Sequence, residues 1–447
     1  MKKIVQINTF SYKATGSVML SIHQLLTDNG YDSYMVWGRG RDAENEHEIV
    51  IKDKLGIRLH GVYTRITDKT GFASKKATKQ LLGKLDEIKP DIIHLHNIHG
   101  YYLNIEMLFE YIRSNKIKVL WTLHDCWPVT GHCAYFDMAQ CEKWKTGCHN
   151  CEQKSTYPAS KFIDASEWNW KKKKELFLNQ DITIVVPSMW LKKIIAESFL
   201  CCYPVEVIYN GIDLDTFKPS WNAQIHDKYS PLGKPIVLGV ASEWTERKGL
   251  RDFIELSGLT DKFQFMVVGL TGAQVKEMPE GIVAIERTNN IQELVEIYSA
   301  ADVFLNPTYE DNFPTTNVEA MACGTPVVTY DTGGSPEAME IGSEKAGIKV
   351  GRVVKKITPS KVDYKLVLEA IEEMVDTAKG VIALKSAGGG YSPSGAQTND
   401  TLTGKISVKE EVENLGSLSD SCRKAAMSFE KSIRLTGYLD LYEKLLI

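Results

Sequence analysis

The order of hydrophobic and polar positions along the chain predicts strands that alternate with helices. The predicted strands are short runs rich in apolar and β-branched residues, at 4–7, 33–37, 92–96, 118–124, 182–187 and 205–208 and then at 236–241, 263–269, 282–285, 303–306, 327–330 and 348–354. Between them, apolar residues recur at helical spacing, as at Val18, Ile22 and Leu26 in the segment 17–27. This alternation is typical of parallel sheets covered by helices. The chain is therefore predicted to have an α/β fold.

The segment 308–337, TYEDNFPTTNVEAMACGTPVVTYDTGGSPE, combines acidic residues with the predicted start of a helix. Glu310 and Asp311 precede Pro314, and Glu319 follows within the helix. The free amides at a helix N-terminus attract a diphosphate. A carboxylate inside the helix can accept hydrogen bonds from two vicinal ribose hydroxyls. The segment therefore suits a sugar nucleotide.

Imidazole side chains are concentrated just after two predicted strands, in the segments 94–102 and 122–133. Ligands of parallel sheets bind beyond the carboxyl ends of the strands. His124 and Asp125 directly follow one strand, where a neutral imidazole could donate a hydrogen bond to a sugar hydroxyl or to a leaving phosphate. The alternative is a histidine whose hydrogen bonds are satisfied within the core.

The segment 308–337 resembles the signature of the retaining glycosyltransferases of family 4, also called group 1. In that signature two acids separated by seven residues precede a Gly-Thr-Pro-Val-Val strand, as Asp311 and Glu319 do here. The resemblance implies that Glu319 holds the donor ribose and that Asp311 faces the donor sugar and its phosphates. It also implies a set of further donor-binding residues in the same loop and helix start: Asn312, Phe313, Pro314, Thr315 and Thr316.

The segment departs from the family signature at two positions. Asp311 stands where the family usually has Glu, unless the neighbouring Glu310 takes that role, and Pro314 stands where the family usually has Gly. The chain is therefore either an active enzyme of the family or a non-catalytic relative of it.

The resemblance implies further donor-side residues elsewhere in the chain. Gly16 and Ser17 match a glycine loop that contacts the donor phosphate, and His124 matches a histidine that faces the donor sugar. Lys248 matches the lysine of a Lys-Gly pair that contacts the donor phosphates, and Arg247 stands in for an arginine that the family usually carries several residues earlier. The predicted catalytic residues are thus His124, Asp311, Lys248 and Arg247.

The loop after the third predicted strand supplies the predicted acceptor side, namely His96, Asn97, His99 and Tyr101. A polar loop packed under aromatic side chains is the alternative. The stretch that follows, 124–148, is similar to a subgroup of family 4 found in bacterial exopolysaccharide and colanic-acid clusters.

The stretch and the residues directly after it contain four closely spaced cysteines, Cys133, Cys141, Cys148 and Cys151. Four thiolates within nineteen residues can form a closed tetrahedral zinc site. Plain buried thiols are the alternative, because only one pair has the Cys-x-x-Cys spacing. Both interpretations stay open at this point.

The resemblance implies the GT-B fold, in which two Rossmann-like domains face each other across a cleft. Residues 1–215 are predicted to form the acceptor-side domain, with a cysteine-rich insertion at 126–160. Residues 216–430 are predicted to form the donor-binding domain, with a flexible insertion at 385–405 that is dense in Gly, Ser and Thr. Residues 431–447 are predicted to form a helix that packs back across the domains.

The implied activity is the transfer of a sugar from a nucleotide-sugar donor to a glycan or lipid-linked acceptor, with retention of configuration, in surface-polysaccharide biosynthesis. No carboxylate is clearly placed as a nucleophile, and no Asp-x-Asp metal motif is present in a donor-loop context, so we expect front-face transfer that needs no metal ion or other cofactor. The alternatives are a nucleotide-sugar epimerase or a phosphorylase on the same fold, and a non-catalytic partner subunit that binds sugar nucleotides.

Charge and composition narrow the range of partners. The net charge of −4 argues against nucleic acid. The N-terminal sequence does not resemble a secretory signal, no run of eighteen apolar residues is present, and nine cysteines fit reduced thiols, so we expect a cytoplasmic protein. The lysine run 171–174 is either a solvated helix face or a site for anionic lipid, which would add peripheral contact with the inner face of the membrane.

Overall fold

The computed structural model describes residues 1–387 and 417–447. Its contacts divide the chain into two compact units. The first unit comprises Met1–Gly211, Glu310–Phe313 and Lys431–Ile447, and the second comprises Ile212–Tyr309 and Pro314–Glu430. Apart from its first three residues, the predicted insertion at 385–405 lies outside the described residues.

The first unit contains a parallel sheet of seven strands in the order β3-β2-β1-β4-β5-β6-β7. The strands are β1 Lys3–Phe10, β2 Asp32–Arg39, β3 Glu48–Val50, β4 Ile92–Leu95, β5 Lys118–Thr122, β6 Ile182–Val186 and β7 Val205–Val207. Strand β1 pairs with β2 on one side and with β4 on the other. The order of the strands therefore reverses at β1, and a ligand of such a sheet binds beside that reversal.

Eight helices belong to the first unit. They are α1 Lys13–Asp28, α2 Lys54–Thr67, α3 Lys75–Ile88, α4 Ile105–Asn115, α5 Lys143–Thr146, α6 Ser166–Phe177, α7 Met189–Glu197 and, from the end of the chain, α16 Lys431–Leu446. One hydrophobic cluster joins the sheet to α1 and α16, through residues such as Ile4, Ile22 and Tyr442. The C-terminal helix is thus part of the core of the first unit.

The second unit contains a parallel sheet of six strands in the order β10-β9-β8-β11-β12-β13. The strands are β8 Ile236–Val240, β9 Gln264–Val268, β10 Ile282–Ile285, β11 Val303–Asn306, β12 Val327–Tyr330 and β13 Gly351–Val354, followed by an antiparallel pair, β14 Lys356–Thr358 and β15 Lys361–Val362. The reversal of strand order falls between β8 and β11. Loops after these two strands therefore occupy the ligand-binding edge.

The helices of the second unit follow the same alternation. They are α8 Ala223–Tyr229, α9 Leu250–Leu259, α10 Gly272–Glu277, α11 Ile291–Ala300, α12 Thr315–Ala322, α13 Glu337–Ala346, α14 Tyr364–Ala387 and α15 Leu418–Ala426. Both units are parallel-sheet α/β domains of the Rossmann type, as the alternation predicts. Within residues 1–387 and 417–447, no helix is both long enough and apolar enough to cross a bilayer.

The start of α1 differs from the sequence-based prediction. The helix begins at Lys13 rather than near Ser17, so that Gly16 lies in its first turn and not in the loop before it. A Cβ atom at Gly16 would lie 2.7 Å from the carbonyl carbon of Ser11. The glycine therefore allows α1 to approach the end of β1 closely.

Candidate functional site

His124 lies directly beyond β5 in the first unit and is held by a second imidazole. Its Nε2 atom is 3.1 Å from Nδ1 of His96, and the two rings are stacked with their centroids 5.4 Å apart. On its other side, His96 Nε2 is 3.3 Å from Oε1 of Gln6 on β1. These hydrogen bonds join the middle of β1 to the residues that follow β4 and β5.

This arrangement determines which nitrogen atoms of His124 carry hydrogen. Burial lowers the pKa of His124 to about 4, while the nearby Asp125 raises it, and burial lowers the pKa of His96 well below its ordinary value. Both rings are therefore neutral near pH 7. With the amide oxygen of Gln6 facing His96, His96 carries its hydrogen on Nε2 and accepts from His124 at Nδ1. His124 is left with an unprotonated Nδ1 atom, which accepts hydrogen bonds rather than donating them.

Two of the predicted acceptor residues have no ring nitrogen left for a ligand. His96 is buried, with both nitrogens engaged by Gln6 and His124. His99 is also buried; its Nε2 atom is 2.9 Å from Asp125 and its Nδ1 atom 3.1 Å from the Tyr157 hydroxyl. The side chains of His96 and His99 thus hold the strand ends in place. This agrees with the alternative given above, a polar loop packed under aromatic side chains.

The other two predicted acceptor residues are partly exposed in the same loop. The Asn97 carbonyl oxygen accepts hydrogen bonds from Thr9 and Tyr102, so the backbone of Asn97 is fixed. Tyr101 has a φ of 66°, in the left-handed region, and Arg39 lies over its ring at 5.5 Å. Asn97 and Tyr101 are therefore the members of the set whose side chains can reach solvent.

The loop residues Glu310–Phe313 belong to the first unit. Glu310 is buried and its Oε1 atom accepts a hydrogen bond from the Met138 amide at 2.8 Å. Asn312 is also buried and donates to the carbonyl oxygen of His124 at 2.6 Å. Because Glu310 contacts backbone in this way, Asp311, which is only partly buried, is the better placed of the two acids to face a ligand.

In the second unit, the backbone of Arg247 anchors the loop that follows β11. Its carbonyl oxygen accepts hydrogen bonds from the Tyr309 amide at 2.7 Å and from the Thr308 hydroxyl at 3.3 Å. Gly249 has a φ of 72°, and a Cβ atom there would lie 2.2 Å from the Pro307 carbonyl oxygen. The chain therefore needs glycine after Lys248, because a side chain would separate the two loops.

Arg247 and Lys248 lie in a 3-10 turn, Glu246–Lys248, beyond the carboxyl end of β8. Both side chains are partly exposed. Two cations on this edge of a parallel sheet can neutralise a diphosphate.

Glu319 is held in place by two hydroxyl groups. Tyr298 on α11 donates to its Oε2 atom at 3.0 Å, and Thr315 in the first turn of α12 donates to its Oε1 atom at 3.1 Å. Burial raises the pKa of Glu319, while these two hydrogen bonds oppose the rise. Each carboxylate oxygen retains a lone pair, so the group can still accept from a bound diol.

The N-terminus of α12 has no side-chain cap. Pro314 occupies the N-cap position, and its side chain has no atom that can accept a hydrogen bond from the amides of the first turn. The first amides of a helix have no partner within the helix. The start of α12, with Thr315 and Thr316, therefore has the character of an anion site next to Glu319.

Three features of the second unit were not predicted from the sequence. Tyr298 contacts Glu319 from 21 residues away, so no local motif indicates it. Asp252 is buried and accepts hydrogen bonds from three tyrosine hydroxyls, those of Tyr309, Tyr330 and Tyr364. Lys356 lies 2.9 Å from the Thr332 hydroxyl and 3.4 Å from the Tyr309 carbonyl oxygen, which places a cation beside the loop after β11.

The four clustered cysteines line one cavity. Cys133, Cys141, Cys148 and Cys151 surround the same small space. Burial raises the pKa of the Cys148 thiol to about 11 and that of Cys151 to about 12. Among the described residues, no group of three or more His, Cys, Asp or Glu side chains is arranged to hold a metal ion. The zinc interpretation is therefore not supported; Cys133 and Cys148 are buried, and Cys141 and Cys151 are half-buried.

Comparison with protein-family models gives two matches that together cover most of the chain. Residues 15–216 match the model of Glycosyltransferase Family 4, and residues 234–358 match the model of Glycosyl transferases group 1.

Curated relatives agree with these models. The chain is 26% identical over 364 residues to the colanic acid biosynthesis glycosyl transferase WcaC of Escherichia coli (strain K12), which covers 75% of this chain and 85% of that protein. It is 31% identical over 193 residues to the D-inositol 3-phosphate glycosyltransferase of Corynebacterium jeikeium (strain K411), covering 38% of this chain and 46% of that protein.

Solved structures match over nearly the whole length of the chain. Sucrose-phosphate synthase from Thermosynechococcus elongatus aligns with a TM-score of 0.66 at 16% identity, covering 100% of this chain and 99% of that one. HepE of Anabaena, solved in complex with UDP-glucose, aligns with a TM-score of 0.59 at 14% identity, covering 99% of this chain and 100% of that one. At these identities the likeness shows the fold, which is GT-B.

Proposed function

Because the chain belongs to the glycosyltransferases of family 4 (group 1), we propose that it is a retaining, metal-independent hexosyltransferase of surface-polysaccharide biosynthesis. The donor is a nucleotide sugar, and the acceptor is a glycan or a lipid-linked oligosaccharide. Residues 216–430 bind the donor and residues 1–215 bind the acceptor.

The observation that carries this proposal is the environment of Glu319. Its carboxylate is oriented by Tyr298 and Thr315 at the start of a helix without a side-chain cap. A ribose diol bound by the carboxylate leaves the diphosphate near the amides of Thr315 and Thr316, as the charge of a helix N-terminus favours. A nucleoside diphosphate matches both features at once, whereas a simple phosphate or sugar matches only one.

The proposed reaction proceeds on one face of the donor sugar. The bond between the anomeric carbon and the phosphate oxygen breaks, and the acceptor oxygen attacks the anomeric carbon from the same face. The acceptor hydroxyl gives its proton to the departing phosphate oxygen. Arg247, Lys248 and the amides at the start of α12 stabilise the negative charge of that phosphate.

His124 and Asp311 have separate roles in this scheme. His124 presents an unprotonated Nδ1 atom, so we assign it to accept a hydrogen bond from a hydroxyl of the donor sugar. Asp311 faces the sugar as a hydrogen-bond acceptor. Arg247 and Lys248 supply the positive charge that a divalent cation supplies in other glycosyltransferases, which is why the reaction is proposed to need no metal.

Names of related proteins suggest the chemical class of the donor and the pathway. HepE binds UDP and UDP-glucose, and WcaC acts in colanic acid biosynthesis. We therefore propose a UDP-hexose as the donor to be tested first.

Replacement of Glu319 tests the proposal. We expect Glu319→Ala to weaken binding of UDP by about tenfold to a hundredfold, because hydrogen bonds to a charged group contribute about 1.5–3 kcal/mol each. Calorimetric titration of UDP, GDP and ADP, followed by an assay of transfer, measures this. The matched control is Glu340→Gln, which changes an exposed carboxylate on α13.

Two results would contradict the proposal. One is well-folded wild-type protein that binds none of the three nucleotides. The other is Glu319→Ala protein that retains full transfer activity. Binding of a nucleotide without any turnover of its sugar would instead favour a non-catalytic partner subunit.

A further inference from the structure

Helix α2, Lys54–Thr67, faces solvent with its apolar side. Four apolar residues recur at helical spacing and are exposed by about half or more of their surface, namely Leu55 (68%), Leu59 (59%), Val62 (49%) and Ile66 (44%). Residues at this spacing lie on one stripe of a helix. The buried residues of α2 are His60 and Thr64, on the opposite side. A helix that packs on a core normally has the reverse orientation.

Specific hydrogen bonds hold α2 in this orientation. His60 Nδ1 is 2.8 Å from the Ser74 hydroxyl, and His60 Nε2 accepts a hydrogen bond from the Gly71 amide at 3.1 Å. The side chain of Asp53 accepts from the Gly56 amide at the start of the helix. Because these hydrogen bonds fix His60 inside the unit, the apolar stripe stays on the surface.

A neighbouring segment extends the apolar stripe. The Lys161 amide donates to the Arg65 carbonyl oxygen at 2.8 Å, and the Ile163 amide donates to the Ile66 carbonyl oxygen at 3.3 Å. Phe162 between them is 73% exposed, and Ile163 is 50% exposed. We call the combined surface the α2 face, formed by Leu55, Leu59, Val62, Ile66, Phe162 and Ile163.

The charge around the α2 face is predominantly positive, with Asp53 and Asp164 as the acids at its edges. Helix α2 contains Lys54, Arg58 and Arg65 and no acidic residue, and Lys161 lies beside its end. All four side chains are exposed. An apolar stripe edged with cations is complementary to a surface whose outer layer is anionic and whose underlying layer is apolar.

The lysine run 171–174 does not offer a comparable surface. Lys173 is buried and donates to the carbonyl oxygens of Trp127 and Thr130. Lys171 pairs with Glu167, and Lys172 pairs with Glu106. Because Lys173 is buried, the run is not a uniformly solvated face, and its contact with anionic lipid stays a prediction.

We propose that the α2 face docks on the surface of an anionic phospholipid bilayer, with its apolar residues in the interfacial layer. This inference rests on the proposed transfer to a lipid-linked acceptor and names the place from which that acceptor comes. The inner side of α2 packs against the predicted acceptor loop, where the His60 ring lies 5.8 Å from that of Tyr101. An acceptor anchored in the bilayer would thus approach next to Tyr101.

A second copy of the chain is a poorer occupant of this surface. In a two-fold dimer the same patch meets itself, so Arg58 and Arg65 of both copies would lie around one interface. Like charges in that position repel each other. Anionic lipid headgroups instead neutralise them.

Vesicle flotation of the full chain, without donor, tests the proposal. We compare vesicles of phosphatidylcholine alone with vesicles of phosphatidylcholine and phosphatidylglycerol at a ratio of about 70:30. Wild-type protein is expected to float with the anionic vesicles. Leu59→Gln/Val62→Gln is expected to lower the partition coefficient by about tenfold or more, because less apolar area is buried.

Two further variants separate the contributions. Arg58→Gln/Arg65→Gln is expected to reduce binding to the anionic vesicles by about tenfold while binding to neutral vesicles stays unchanged. Leu259→Gln/Leu366→Gln is the matched control, because both leucines are exposed, at 60% and 46%, on helices of the second unit. This control should float like wild type.

Three results would overturn the proposal: wild-type protein that does not float with anionic vesicles, a control that loses binding as much as the α2 variant, or an α2 variant that converts a dimer into a monomer in sedimentation without vesicles. The last result would assign the α2 face to a second copy.

Calorimetric binding of UDP, measured on each protein, should be the same in wild type and in all variants. Loss of flotation with intact UDP binding therefore concerns membrane docking alone, whereas absence of UDP binding concerns the proposed function.

Discussion

At the scale of single residues, the chemistry of the first unit depends on how His124 is held. Its Nε2 atom contacts His96, which in turn contacts Gln6, so that a chain of three side chains determines the tautomer of His124. His96 touches neither the donor nor the acceptor in our scheme. It is a positioning residue for His124.

Replacing His96 separates positioning from structure. His96→Leu removes the acceptor for the Nε2 hydrogen of His124, and we expect the turnover number to fall by about tenfold or more, because a misplaced catalytic group loses its alignment with the substrate. His96→Asn restores an acceptor oxygen near the former position of Nδ1 and should recover part of the activity. Nitrogen-15 NMR of the imidazoles should show the Nε2-protonated form of His124 in wild type and His96→Asn.

The matched control removes a hydrogen-bond partner of the neighbouring histidine, His94. Tyr442→Phe removes the hydroxyl that lies 2.5 Å from His94 Nδ1 and leaves His96 unchanged. This variant should lose stability but keep its turnover number. If His96→Leu and Tyr442→Phe reduce turnover equally, or if His124 keeps its tautomer in His96→Leu, then His96 has only a structural role.

At this scale the sequence predicted where side chains lie in the fold better than which side chains they contact. The position of His124 beyond β5 followed from the rule for parallel strands, but the burial of His96 and His99 depends on Gln6, Asp125 and other partners far along the chain. Glu319 was predicted from the resemblance, whereas its partner Tyr298 lies on another helix. Long-range hydrogen bonds of this kind leave no periodic signal in the sequence.

At the scale of elements, the loops after β8 and β11 form a coupled pair. The carbonyl oxygen of Arg247 binds the loop after β11, and Gly249 allows the close approach to Pro307. Tyr309 in that loop is also held by Asp252 on α9. The cations of one loop and the proposed donor-binding residues of the next are therefore positioned by the same contacts.

Substitution of Gly249 tests this coupling. Gly249→Ala places a Cβ atom against Pro307 and disfavours the left-handed backbone, so we expect a loss of about 1–3 kcal/mol in the free energy of unfolding and weaker binding of UDP. Gly258→Ala is the control, because a Cβ atom there meets nothing within 4 Å and α9 gains helix propensity. Urea denaturation and calorimetric titration measure both effects. Unchanged affinity for UDP in Gly249→Ala would show that the two loops are not coupled.

The elements themselves were largely predictable. All twelve strands predicted from short apolar runs are present, because buried parallel strands need such runs. The additional strands β3, β14 and β15 have only two or three residues each, too few to show a pattern. The early start of α1 was missed because its first residues, such as Lys13 and Ala14, carry no apolar spacing.

At the scale of the whole molecule, the chain divides its chemistry between two α/β units. The first unit contains the imidazoles, the loop Glu310–Phe313 and the α2 face. The second contains Arg247, Lys248 and Glu319. The proposed reaction uses both sets, one for the sugar and acceptor and the other for the nucleotide and the leaving phosphate. The family resemblance implied two α/β domains. The apolar outer side of α2 was not predictable, since the same spacing also fits a helix packed on a core.

The stereochemistry of transfer tests the central claim most directly. Wild-type protein is incubated with a UDP-α-hexose and an acceptor in the presence of EDTA, and proton NMR records the anomeric configuration of the first product. We expect an α-linked product formed at the same rate with and without EDTA, because in the proposed reaction Arg247, Lys248 and the start of α12 stabilise the leaving phosphate. A β-linked product, or transfer that stops when divalent cations are removed, would contradict it.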